Sequence, residues 1–102
     1  MTNLLAARRE QLVALCRKYR VARLDVFGSA ARDDFDEHSS DVDLLVEFED
    51  MPFADRGDAY LGLLTDTEAL FGRRVDLVEP SAIRNQYLRR GIEASRQTLY
   101  AA

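Results

Sequence analysis

The segment Val26-Phe27-Gly28-Ser29-Ala30-Ala31-Arg32, followed after an acidic run by Ser40-Asp41-Val42-Asp43-Leu44-Leu45-Val46, decides how this chain is read. Leu24 to Phe27 is a short β-prone run stopped by Gly28, and Val42 to Phe48 is a second and stronger one. In the second run Val42, Leu44 and Val46 alternate with Asp41 and Asp43. Residues i and i+2 of a strand point to the same face, their Cα atoms about 6.5 Å apart, so the apolar set takes the core and the two carboxylates project together. Carboxylates that close repel, which raises the pKa of one unless a cation stands between them, and Mg²⁺ with its preference for oxygen ligands fits that place.

Working outward, Val75-Asp76-Leu77-Val78 is a third strand candidate that ends at Pro80. Val75 and Leu77 claim its core face and put Asp76 on the other. Beside the second strand, Asp76 would reach the same cations as Asp41 and Asp43, as in sites that hold two ions for phosphoryl or nucleotidyl transfer. Gly28 lets the backbone come close to a ligand, and Ser29 offers a backbone N–H and a hydroxyl to a phosphate oxygen. A helical turn starting at Ala30 would add positive potential there. Arg32 suits a phosphate contact and an ion pair with the acidic run equally. No GxxxxGK[ST], GxGxxG, CxxC or HExxH pattern competes with this reading.

The remainder is helical by pattern. Leu5, Leu12, Leu15, Cys16 and Tyr19 mark an amphipathic helix from Asn3 to about Tyr19. Tyr60, Leu61, Leu64 and Phe71 mark another, weakened in its middle by Gly62 and stopped at Gly72. Ser81 is placed to cap a helix carrying Ile83, Tyr87 and Leu88, which Gly91 interrupts, and Ile92 to Tyr100 reads as a last short helical piece. The expected order is α-β-β-α-β-α. It gives an α/β (α+β) fold in which a small, mixed sheet of three or more strands is flanked by helices.

Length and composition agree with one domain over residues 1–102: 47% of residues are apolar and 31% charged. The net charge of −4 gives the chain no general attraction for duplex nucleic acid, so no stable nucleic-acid binding is expected. No apolar stretch is long enough to cross a bilayer. A lone cysteine, Cys16, on the apolar stripe of the first helix reads as packing, and together with the absence of a secretory signal it points to the cytoplasm. Asp33, Asp34, Asp36 and Glu37 read as a solvated loop, and His38, the only histidine, as an exposed member of it.

The motifs GSAAR (residues 28–32), SDVDLLVEF (40–48) and RRVDLVEP (73–80) resemble the nucleotidyltransferase superfamily of DNA polymerase beta type. With one small domain, the chain is similar to the minimal nucleotidyltransferases that serve as antitoxins in HEPN/MNT toxin–antitoxin pairs. The likeness spans nearly the whole chain, although Ala30 through Ser40 is one residue longer than the family's usual spacer. It implies a nucleotidyltransferase fold, with Gly28 and Ser29 binding the nucleoside triphosphate and Asp41 and Asp43 holding Mg²⁺, two ions in all. Asp76 is then the third carboxylate, helping to activate the acceptor hydroxyl. The implied activity is transfer of AMP from ATP to a tyrosine of a cognate HEPN ribonuclease toxin, which is inactivated and with which the chain forms a hetero-oligomer.

Two other functions stand beside it. A non-catalytic antitoxin would cover the toxin with an acidic face, since nine acids and no lysine or arginine lie between Asp33 and Asp50. A nucleotidyltransferase subunit acting on RNA or a small molecule would use Arg84, Arg89, Arg90 and Arg96 as a path for RNA.

Overall fold

The computed structural model describes residues 3–32 and 41–102; the acidic run from Asp33 to Ser40, with His38, lies outside the described residues. The elements are α1 (Asn3–Ala7), α2 (Arg9–Lys18), β1 (Val21–Phe27), β2 (Val42–Phe48), α3 (Phe53–Phe71), β3 (Val75–Val78), α4 (Gln86–Ser95) and β4 (Gln97–Ala101). Single 3₁₀ turns occupy Gly28–Ala30 and Pro80–Ala82. The sheet runs β3-β2-β1-β4. Strand β1 is antiparallel to both neighbours, and β2 is parallel to β3, so the sheet is mixed as expected.

Alternation along the strands sorts the two faces. Leu24 and Val26 of β1, Val42, Leu44 and Val46 of β2, and Val75 and Leu77 of β3 form the main core with Leu5, Leu12, Cys16, Leu63 and Phe71. Burial pushes the Cys16 thiol up to about 12, which removes its thiolate at neutral pH and leaves it a packing residue. The opposite face carries a smaller cluster of Phe27, Leu45, Ile83 and Ile92, with α4 laid over it.

Four expectations are corrected. The first helix is broken at Arg8, whose backbone leaves helical geometry (φ −113°) while its Nε donates to Leu70 C=O at 3.1 Å. Gly62 does not mark a weak point in α3. A Cβ there would overlap the Tyr19 ring, so the glycine allows α3 to approach the end of α2. Ser81 lies inside the Pro80–Ala82 turn, and α4 is capped instead by Asn85, whose Oδ1 accepts from the N–H groups of Tyr87 (2.8 Å) and Leu88 (3.3 Å). That cap offsets the cost of Gly91, and α4 runs through it to Ser95. Removing it in Asn85→Ala is expected to lower stability by about 1 kcal/mol, measured by denaturant unfolding.

The fourth correction concerns the tail. Residues 97–101 form β4, pairing antiparallel with β1 in the register Leu24↔Tyr100 and Asp25↔Thr98. The helical spacing of Ile92 and Leu99 misled because the two side chains belong to different elements and are buried in different clusters. Thr98, Leu99 and Tyr100 are in fact a β-prone run, and the exposed edge of β1 supplies the partner it needs.

Candidate active site

Strand β1 ends at Phe27, and Gly28 turns the chain with φ +68°, a conformation that L side chains rarely adopt. The Gly28 carbonyl accepts from the N–H groups of Ala31 (3.1 Å) and Arg32 (3.2 Å), closing one 3₁₀ turn over Gly28–Ala30 where the sequence suggested a helical start. Phe27 is paired with Asp43 across the antiparallel ladder, which sets the turn against that carboxylate. A Cβ at Gly28 would overlap Asp43 Oδ2. Gly28→Ala therefore meets both a backbone strain and a clash, and is expected to lose about 2 kcal/mol of stability, read from denaturant curves.

The adjacency that Asp76 required is present. In the parallel β2–β3 ladder Asp43 and Asp76 are register partners, side by side on the face opposite the main core. Asp41 stands just before β2 rather than inside it, exposed at the mouth of the strand, and the next residue's N–H donates to Arg74 C=O at 3.1 Å. The sheet order thus lines up the Gly28 turn on β1, Asp43 on β2 and Asp76 on β3.

Asp43 is half-buried, and burial is the main force raising its pKa to about 6, helped by the charges of Asp76 and Asp41 and opposed by Arg32. The exposed Arg32 therefore acts on the carboxylate cluster itself. Among the described residues no three Asp, Glu, His or Cys side chains are gathered closely enough to enclose a metal ion. Mg²⁺ ordinarily takes one or two carboxylates and completes its octahedron with substrate phosphates and water, so an oxygen-only set with unbalanced negative charge fits it without a prebuilt cage. Between the turn and α4 a cleft of about 260 Å³ is lined by Phe27, Gly28, Arg32, Tyr87, Gly91 and Ser95.

Asp25 belongs to none of the sequence motifs. It lies in the middle of β1, on the same face as Phe27, with 0% of its surface exposed. Arg96 Nε donates to its Oδ2 at 2.7 Å and Arg23 Nε to its Oδ1 at 3.1 Å. An acid between Leu24 and Val26 was a visible signal for a buried charge; its partner, 71 residues away, was not. Two of the four arginines named for an RNA path are engaged within the chain. Arg96 is spent on Asp25 and Glu93, and Arg89 donates to Ile83 C=O at 2.9 Å.

The nucleotidyltransferase domain family matches residues 8–99, from the first helices to the last strand. The chain belongs to this nucleotidyltransferase family. Over 71 residues it is 39% identical to protein adenylyltransferase MntA of Thermococcus cleftensis, covering 70% of this chain and 68% of that protein. Over 76 residues it is 37% identical to an inferred protein adenylyltransferase of Methanocaldococcus jannaschii, covering 74% of each. In fold, this nucleotidyltransferase matches a chain from the solved complex of a tri-AMPylated Shewanella oneidensis HEPN toxin with its MNT antitoxin. The TM-score is 0.65 at 17% identity, over 95% of this chain and 72% of that one.

Proposed function

We propose that the protein is an antitoxin nucleotidyltransferase that transfers AMP from ATP to a tyrosine hydroxyl of a cognate HEPN ribonuclease toxin in the cytoplasm, releasing pyrophosphate and silencing the toxin. The observation that carries this is the cross-strand pair Asp43–Asp76 beside a Gly28-Ser29 turn, in a chain with adenylyltransferase relatives. No helix among the described residues is long and apolar enough to span a membrane.

Asp41, Asp43 and Asp76 would supply the carboxylate oxygens for Mg²⁺, with substrate phosphates and water completing its shell, and two such ions would neutralise the triphosphate and polarise its α-phosphorus. The other parts are the chain's own. Ser29 and the turn grip the β- and γ-phosphates, and the Arg32 charge lies on the same side. In this reading Asp76, the register partner of Asp43 on β3, takes the acceptor proton. A phenol with an ordinary pKa near 10 needs such a base to become a nucleophile at neutral pH. The toxin's own surface completes the acceptor pocket.

The test is incubation with labelled ATP, Mg²⁺ and the HEPN toxin, followed by mass measurement of both proteins. A gain of AMP mass on the toxin is the expected result. Full neutralisation of the toxin by the Asp41→Asn, Asp43→Asn double variant would instead establish a binding-only antitoxin, and a labelled small RNA beside an unmodified toxin would redirect the substrate to RNA.

A further inference from the structure

Three consecutive residues at the passage from α4 to β4 each reach back to a different point around the Gly28 turn. The Gly28 N–H donates to Ser95 Oγ at 3.0 Å, and the Ser95 hydroxyl donates in turn to Gly91 C=O at 3.0 Å. Arg96 clasps Asp25, which lies on β1 three residues before Gly28. Gln97 Nε2 donates to Ala31 C=O at 3.0 Å, just after it. The entry strand, the glycine and the exit of the turn are therefore all held by one short stretch of chain that lies 66 to 71 residues away in sequence.

These bonds constrain the turn more than its own sequence does. Glycine has the widest backbone freedom of any residue, and a single 3₁₀ turn has little stiffness of its own. Yet a phosphate grip must keep its donors within a fraction of an ångström of the productive position relative to the carboxylates. Ser95 spends its one hydroxyl hydrogen on Gly91 C=O, so it has none to donate to a phosphate oxygen. Its bond also engages the Gly28 N–H, which leaves Ser29 as the member of the pair that donates to a phosphate oxygen.

We propose that Ser95 and Gln97 are positioning residues for the polyphosphate end of the nucleotide, setting the angle of the Gly28 turn against Asp43 while the Asp25–Arg96 pair anchors the segment that carries them. The proposal rests on the nucleotidyltransferase reading above.

The experiment measures AMP-PNP binding to the full chain in the presence of Mg²⁺ by calorimetry at 25 °C, alongside thermal unfolding of the same samples. Ser95→Ala removes the acceptor of the Gly28 N–H, and Ser95→Thr keeps one. Ser95→Ala is expected to raise Kd about tenfold, with Ser95→Thr close to the unsubstituted protein. Gln97→Ala, at an exposed position, is expected to raise Kd about threefold and carries the test if Ser95→Ala fails to fold. A bond of structural value alone would lower the unfolding temperature and leave Kd unchanged, and that result overturns the proposal. So does an equal loss of affinity in Ser95→Ala and Ser95→Thr. Failure of the unsubstituted chain to bind AMP-PNP would overturn this proposal and the nucleotidyltransferase reading together, whereas normal binding by Ser95→Ala and Gln97→Ala removes the positioning role alone.

Discussion

Asp43→Asn is expected to reduce AMP transfer by on the order of a thousandfold or more and, at the same time, to make the protein more stable at pH 7.5. The loss follows from removing the central carboxylate of the line formed by the Gly28 turn, Asp43 and Asp76. The gain follows from electrostatics. Burial, then Asp76, then Asp41, raise the Asp43 pKa from 3.8 to about 6, so the ionised form is disfavoured by the fold. A carboxyl whose pKa is higher folded than unfolded binds protons on folding. Its penalty is therefore fully present above the folded value and disappears as pH falls through it toward the unfolded value.

Since Asp43 is only half-buried, solvent screening reduces that penalty to about 1 kcal/mol, or roughly 5 °C in unfolding temperature for a domain of this size. Scanning calorimetry in the absence of divalent cations should show the variant ahead at pH 7.5 and the two proteins converging near pH 4. Adding Mg²⁺ should raise the unfolding temperature of the unsubstituted protein more than that of the variant, because the ion binds only the native carboxylate set. Equal unfolding temperatures at every pH would show that Asp43 carries no such penalty.

The second large effect lies at Asp25. Its charge is out of contact with water and is balanced by Arg96 on one oxygen and Arg23 on the other. Arg96→Ala leaves that charge with one half-exposed partner, and breaking a buried pair in this way typically costs about 3 to 5 kcal/mol. That is a large share of the total stability of a small domain, so the variant should unfold at a much lower denaturant concentration. The double variant Asp25→Leu, Arg96→Met removes the charge and its counter-ion together and is expected to recover most of the loss, since apolar replacement of a buried pair is often neutral or stabilising. A loss below about 1 kcal/mol in Arg96→Ala would mean that Arg23 and solvent suffice for Asp25. Arg96 also bonds Glu93, three residues before it, but that acid is exposed and contributes little to the comparison.

These expectations depend on contacts of very different visibility. Strand β2 was legible because Val42, Leu44 and Val46 alternate with Asp41 and Asp43, and β3 because Asp76 interrupts an apolar run in the same way. The helix stop at Gly72 was legible because a left-handed C-terminal residue (φ +65°) is a glycine's place. The tail misled because Ile92 and Leu99 stand at a helical interval while β4 depends on an edge of β1 that no local pattern announces. Gly62 misled similarly: a glycine that costs an isolated helix stability is required here by the Tyr19 ring.

What the amino-acid order determined alone was the set of elements with strong periodicity and the face of each strand on which its acids stand, because a period of two is a property of the chain itself. It also determined where the chain can turn after β1, since only glycine accommodates that backbone at no steric cost. Tertiary structure decided the rest. The pairing of Asp43 with Asp76, the seating of the turn against Asp43, and the bonds from residues 95–97 to Asp25, Gly28 and Ala31 arise from sheet order and packing. Those are long-range choices, made by the burial of two hydrophobic faces at once, and no local spacing encodes them.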